Sequence, residues 1–310
     1  MNLFRKIKYR FLGYSVKLKF WAKHIKVPFY PELSLFDILR FYSFGVIEGF
    51  LTMRASAIAY NFFMALFPFL LVVLSAIAFV PIEGFQEGVI NFFHDVLPPK
   101  THELFDGIIY DIATNRRKSL LSAGIILSLF FMANGVNAIL TGFESSVNKV
   151  YHNRKFYKQY AYALLISVIL ILILFISVAG MIYFEIYFIY TLKKHGVIEN
   201  ISPWLMWSKR IFYFIMIFLS VSVIYKFGTE EGKKLPLISP GSVMSSIFFL
   251  IGFYLFGLYI KNFNRYNQLY GSIGALLILL FMMYVYAVIL LLGHELNMSI
   301  VKLKEKQNGT

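Results

Sequence analysis

Six stretches of this chain stay free of charge for long enough to cross a lipid bilayer. The first, Ala55–Val80, runs 26 residues without a charged side chain, where a hydrocarbon core needs about 20. Ser119–Phe143 and Gln159–Phe184 follow. A shorter run, Ile211–Tyr225, is approached through Pro203, Trp204 and Trp207, which read as an interfacial lead-in. Leu235–Ile260, with Pro236 and Pro240 near its start, and Tyr266–Gly293 complete the set. The apolar residues are continuous rather than alternating, and an open sheet would leave backbone groups unpaired in lipid. The pattern predicts an all-α integral membrane protein, a bundle of six transmembrane helices. It divides the chain into a basic, interfacial N-terminal segment (1–54), a transmembrane domain (55–300) and a short tail (301–310).

Ahead of the first span, residues 33–53 fit an amphipathic helix lying in the interface. Ser34 and Asp37 match a capping box at its start. Leu35, Phe36, Leu39, Tyr42 and Val46 fall on one face.

Composition agrees with this pattern. Apolar residues make up 59% of the chain and charged ones 15%, against about a quarter charged in a soluble domain. Residues 1–26 are basic and aromatic without a continuous apolar core, so a cleavable signal peptide is not expected. The net charge is +14, and its placement decides its meaning. With six spans both termini lie on one side. Twenty of the 30 Lys and Arg residues fall on that side, ten of them between Arg5 and Arg54. The positive-inside rule then puts both termini in the cytoplasm. The basic segment holds its surface against anionic headgroups, at about 1 kcal/mol per residue. No nucleic-acid-binding motif accompanies the charge, so no nucleic-acid partner is expected.

Polar residues inside the spans change the picture. In the second span Asn134, Asn137, Thr141, Glu144 and Asn148 recur on one helical stripe. In the first, Arg54, Asn61 and Pro68 lie seven apart, and Pro68 removes a backbone hydrogen bond. Polar side chains are costly against lipid, so these stripes face other helices or water. Two readings stay open: helix–helix glue, or the wall of a polar interior. Arg54 either snorkels to the surface or pairs with Glu144, which sits at a similar depth. His294 and Glu295, near the end of the last span, fit a cap, an ion pair or a proton relay. Glu185 reads as interfacial. Between the last two spans, Asn262, Arg265, Tyr266, Asn267, Tyr270 and Gly271 make a polar, aromatic connection and a candidate outer mouth.

Much chemistry is missing. The chain has no cysteine, no Walker A loop, no dinucleotide fingerprint, no HExxH and no GxSxG elbow. No two of its six histidines are spaced as metal ligands on one element. Nothing calls for a cofactor or a metal, and an enzyme is not expected.

Three groups of residues together resemble the YihY/BrkB family of bacterial inner-membrane proteins: Ala59-Tyr60 with Leu66-Phe67-Pro68; Pro240-Gly241 with Tyr259, Asn262-Phe263, Tyr266-Asn267 and Tyr270-Gly271-Ser272; and Leu292-Gly293 with Glu295-Leu296-Asn297. Members often carry Ser where this chain has Ala65. The resemblance implies a six-helix inner-membrane bundle. The family once carried the label ribonuclease BN, and some members are linked to envelope lipid export or serum resistance.

The reading that follows is a transporter or flippase-like protein for a lipid or other amphiphile, with membrane lipids as partners. Arg54, Asn61, Pro68, Asn134, Asn137, Thr141, Glu144, Asn148 and Glu295 would line its interior. A non-transporting scaffold of envelope assembly, acting through loop 81–118, is the alternative, and a membrane-bound ribonuclease the third. Substrate, energy source and oligomeric state are not legible.

Overall fold

The structure, a computed structural model, describes residues 26–27, 30–77, 118–148, 154–183, 201–261 and 264–307. A short antiparallel ladder, β1 (Lys26–Val27) with β2 (Tyr30–Ser34), precedes the first helix. Helix α1 (Leu35–Glu48) starts at Ser34, whose Oγ accepts from the Asp37 amide at 3.2 Å and donates to the Asp37 carboxylate at 2.6 Å. Ser34 is thus the N-cap that the sequence predicts, while the Asp37 carboxylate takes the Ser34 hydroxyl rather than the backbone amide a full capping box would use. The helix is shorter than expected. It closes where the Gly49 amide donates to the Gly45 carbonyl at 3.1 Å. Phe50 then turns the corner with φ at +48°, a left-handed conformation that costs a bulky residue about 1–3 kcal/mol.

Among the described residues six helices follow, each long and apolar enough to span: α2 (Leu51–Ile77), α3 (Lys118–Glu144), α4 (Phe156–Tyr183), α5 (Ile201–Gly228), α6 (Pro240–Lys261) and α7 (Asn264–Gln307). The all-α, six-span architecture is as predicted. Several ends are not. α5 begins ten residues before Ile211 and takes in Pro203, Trp204 and Trp207, with Pro203 in its first turn, where a missing N–H is harmless. α6 begins at Pro240 because residues 231–234 form a 3₁₀ turn and Leu235 is extended; the Ser242 amide donates to Ser239 Oγ at 3.2 Å. α7 does not stop at Gly293. It runs 44 residues, about 66 Å at 1.5 Å per residue, far beyond a hydrocarbon core of about 30 Å. Its surplus length receives α1, with Ile38 packed on Ile300 and Leu303.

Each span packs on the next in the chain, and α7 packs back on α2, so the six helices close a ring. At the end of the bundle that carries α1, the ring is filled. Ala55, Val136, Leu140, Phe143, Ile166 and Leu291 are all nearly or fully inaccessible there. Close approach of α5, α6 and α7 needs Gly293, where a Cβ would collide with the Ser245 and Tyr225 hydroxyls.

Candidate functional site

A buried polar hub lies at the filled end. Arg54 of α2 donates through Nη2 to Glu295 Oε1 of α7 at 2.8 Å and through Nη1 to the Gly142 carbonyl of α3 at 2.8 Å. The Gly142 carbonyl belongs to the last turn of α3, where carbonyls lack helical partners and a cation is favoured. Glu295 Oε2 accepts from Ser146 Oγ at 2.8 Å. Ser146 Oγ also receives the Asn148 amide at 3.2 Å. Asn148 Nδ2 donates to the Phe41 carbonyl of α1 at 2.9 Å and to Ser299 Oγ at 3.4 Å. One carboxylate thus ties α2, α3 and α7, and Asn148 adds α1. A Cβ on Gly45 would strike both Asn148 Nδ2 and the Glu295 carboxylate, so only glycine lets α1 lie so close.

Beside the hub, the His294 ring lies flat on Phe143, centroids 3.9 Å apart, and neither ring nitrogen has a hydrogen-bond partner. Tyr225 donates to the Leu290 carbonyl at 2.7 Å and shares a 2.7 Å hydrogen bond with Ser245. Asn297 accepts from the Gly241 amide at 2.8 Å and donates to Ser239 Oγ at 3.0 Å, fastening the start of α6 to α7.

The expected Arg54–Glu144 pair is replaced by Arg54–Glu295. The ring closure puts α7, not the end of α3, against the Arg54 side chain. Glu144 instead accepts from the Arg154 amide at 3.3 Å. The Arg154 side chain reaches Glu230 at 2.9 Å and lies over the Tyr162 ring at 4.0 Å. Lys233, 2.7 Å away, and then Arg154 hold the Glu230 carboxylate below its ordinary pKa.

The stripe of α3 turns toward α4. Asn137 Oδ1 and Thr141 Oγ1 accept from Gln159 Nε2 at 3.0 and 2.8 Å, and Asn134 Oδ1 accepts from Tyr160 at 3.2 Å. Asn148 follows the end of α3 and enters the hub instead. Asn61 donates to the Ala57 carbonyl of its own helix at 2.8 Å, and Pro68 sits inside α2, which continues through it. Among Asn262, Arg265, Tyr266, Asn267, Tyr270 and Gly271, all but Asn262 lie in the opening turns of α7; Asn262 and the side chains of the others fall outside the described residues. Glu185 and most of loop 81–118 lie outside them as well.

Sequence reasoning did not find the second feature, a central cavity of about 710 Å³ lined by residues of all six spans. Its wall includes Phe62 of α2, Met132 and Ile139 of α3, Leu170 and Leu174 of α4, Tyr213 and Ser220 of α5, Phe249 and Phe253 of α6, and Tyr286 and Leu290 of α7. None of its lining residues is charged. Ile58, Ile139, Ile224 and Leu290 floor it over the filled end. Its volume falls in the range of small-molecule and cofactor sites. No group of three His, Asp or Glu side chains that could hold a metal stands together among the described residues.

A closed ring of six apolar helices, sealed at one end and hollow in the middle, defines a multi-pass helical membrane protein. The chain belongs to the family described as virulence factor BrkB, which it matches over residues 48–310. The resemblance carried by its motifs is thereby borne out. It is 25% identical over 255 residues to the ribonuclease-like protein YfkH of Bacillus subtilis, covering 81% of this chain and 90% of that one. It is 22% identical over 263 residues to a UPF0761 membrane protein of Aggregatibacter aphrophilus, covering 83% and 89%. A UPF0761 membrane protein of Haemophilus influenzae matches at 22% over 279 residues, covering 89% and 98%. No solved structure matches.

Proposed function

We propose that the protein moves a lipid or other amphiphile of the bacterial envelope, as a transporter or flippase-like protein of the inner membrane with both termini in the cytoplasm. The observation that carries this reading is the uncharged cavity reached by every span and floored above a tightly packed, ion-paired end. An uncharged chamber held within the spans above a packed end could hold an amphiphile between two exposures, as alternating access requires. The excess of Lys and Arg on the side of the termini supports the orientation.

The test is movement of a fluorescent phospholipid in vesicles holding the purified protein, with and without a proton gradient. Ser220 lines the cavity and its hydroxyl bonds only the Met216 carbonyl of its own helix, at 2.9 Å. Ser220→Phe therefore fills the chamber without breaking an inter-helix bond, and it slows movement at least tenfold. Wild-type rates equal to protein-free vesicles under both conditions, or unchanged in Ser220→Phe, refute the reading.

The bonding of the α3 stripe to α4 favours one second reading, a scaffold whose polar residues are glue. Replacing loop 81–118 separates the two: a scaffold loses its role in envelope assembly, whereas a transporter keeps its movement of lipid.

A further inference from the structure

We propose that the start of α4 and the end of α5 form a docking surface for the headgroup of an anionic phospholipid, with Lys155 and Lys158 as the residues that recognise its charge. The inference stands apart from the reading of the cavity.

The surface lies at headgroup depth. Phe156 opens the apolar span of α4 and Gly228 closes that of α5. Arg154 holds these two ends together, since its Nη1 donates to the Phe227 and Gly228 carbonyls, both at 3.0 Å. Span ends lie where hydrocarbon gives way to headgroups. Phe156 and Tyr157 are 76% and 63% exposed there, and aromatic rings at that level meet the headgroups.

Cations converge on this surface. The Lys155 carbonyl accepts from the Gln159 amide at 3.0 Å and starts the helix. Lys155, Lys158 and Tyr162 therefore stand at i, i+3 and i+7, on one face. Over the Tyr162 ring lie the Arg154 guanidinium, at 4.0 Å, and Lys233 Nζ, at 5.7 Å.

The charge is unbalanced. Lys155 and Lys158 are exposed, and among the described residues neither side chain has an ion-pair or hydrogen-bond partner. The acids nearby are engaged elsewhere. Arg154 and Lys233 share Glu230, at 2.9 and 2.7 Å, and Lys234 pairs with Glu305 at 3.3 Å. Glu144 receives the Arg154 amide, and Glu231 is buried. No acid stands in the first turn of α4, where the helix dipole already disfavours cations. A net negative headgroup supplies the missing anion. A zwitterionic headgroup brings its own cation to the same lysines, so the surface discriminates between the two.

The experiment uses the full chain in detergent micelles, titrated with dioleoyl phosphatidylglycerol or dioleoyl phosphatidylcholine, and counts bound lipids by native mass spectrometry. The chains are identical, so a difference reports the headgroup. The wild type retains the anionic lipid about tenfold better. Lys155→Gln with Lys158→Gln removes the preference and leaves the melting temperature unchanged, because neither side chain bonds within the fold. Lys155→Arg with Lys158→Arg keeps the preference. So does Lys304→Gln with Lys306→Gln, which takes the same charge from the tail of α7. Equal retention of the two lipids by the wild type overturns the proposal, as does a preference that survives the glutamine pair at 155 and 158. A preference lowered as much by the α7 variant overturns it too, since that is the general attraction of a basic protein. Release of the lipid by inorganic phosphate alone would also overturn it, by assigning the surface to a free anion.

Discussion

Arg54 and Glu295 lie 241 residues apart in the chain and 2.8 Å apart in the fold, with side chains 7% and 0% exposed. A pair so placed contributes little by forming, because both ions lose water, but much is lost when one partner is removed. Glu295→Ala and Arg54→Ala should each cost about 3–5 kcal/mol, by the general behaviour of buried pairs. The double variant Arg54→Met with Glu295→Leu should regain most of that. Unfolding in detergent, followed as a double-mutant cycle, measures it. The same cycle on Arg54 and Glu144 should give a coupling near zero.

Gly45→Ala tests the docking of α1. The added methyl meets Asn148 and Glu295 together, and overpacking of this kind costs about 1–3 kcal/mol. Proteolysis between α1 and α2, near Phe50, should become faster in this variant, with the six spans still protected.

The α3 stripe gives a contrary expectation. Asn134→Leu with Asn137→Leu removes the acceptors for Tyr160 and one of two for Gln159. Stability should fall by about 0.6–2 kcal/mol per bond. Lipid movement should be unchanged, because the α3 residues that line the cavity include Met132 and Ile139 but neither asparagine. Parallel melting and vesicle assays decide it.

Acid should loosen the junction of α4 and α5. Lys233 and Arg154 depress the Glu230 pKa from an ordinary 4.5. A depressed carboxylate pKa contributes stability that is fully present above the unfolded value and is lost as pH falls through the folded one. Melting temperature should therefore drop below about pH 4.5, and Glu230→Gln should flatten that part of the profile. The effect is small, because Glu230 is 37% exposed and screened by water.

The spans were legible because a bilayer demands long uncharged runs, and six runs such as Ser119–Phe143 became six helices. The ends were less so. Gly293 looked like a boundary because His294 and Glu295 follow it, yet both are almost wholly buried, and α7 carries them inside the protein. Helical periodicity placed Asn137 and Thr141 on one face but could not say that Gln159 covers it. Depth alone pointed Arg54 at Glu144; only the packing of α7 on α2 selects Glu295. The cavity left no sequence signal. Met132 or Leu170 facing a hollow reads the same as a side chain facing lipid, since both surroundings are apolar.

The closure of the ring also bears on how the protein is made. Chains leave the ribosome N-terminal end first, so α2 enters the membrane long before α7 exists. Throughout that interval Arg54 lacks its carboxylate. A nascent bundle of five spans therefore offers Arg54 the Gly142 carbonyl but no carboxylate, where the finished one carries a bridge. Arrival of Glu295 neutralises that charge, so the pairing of the first span with the last is made only when the last has been synthesised.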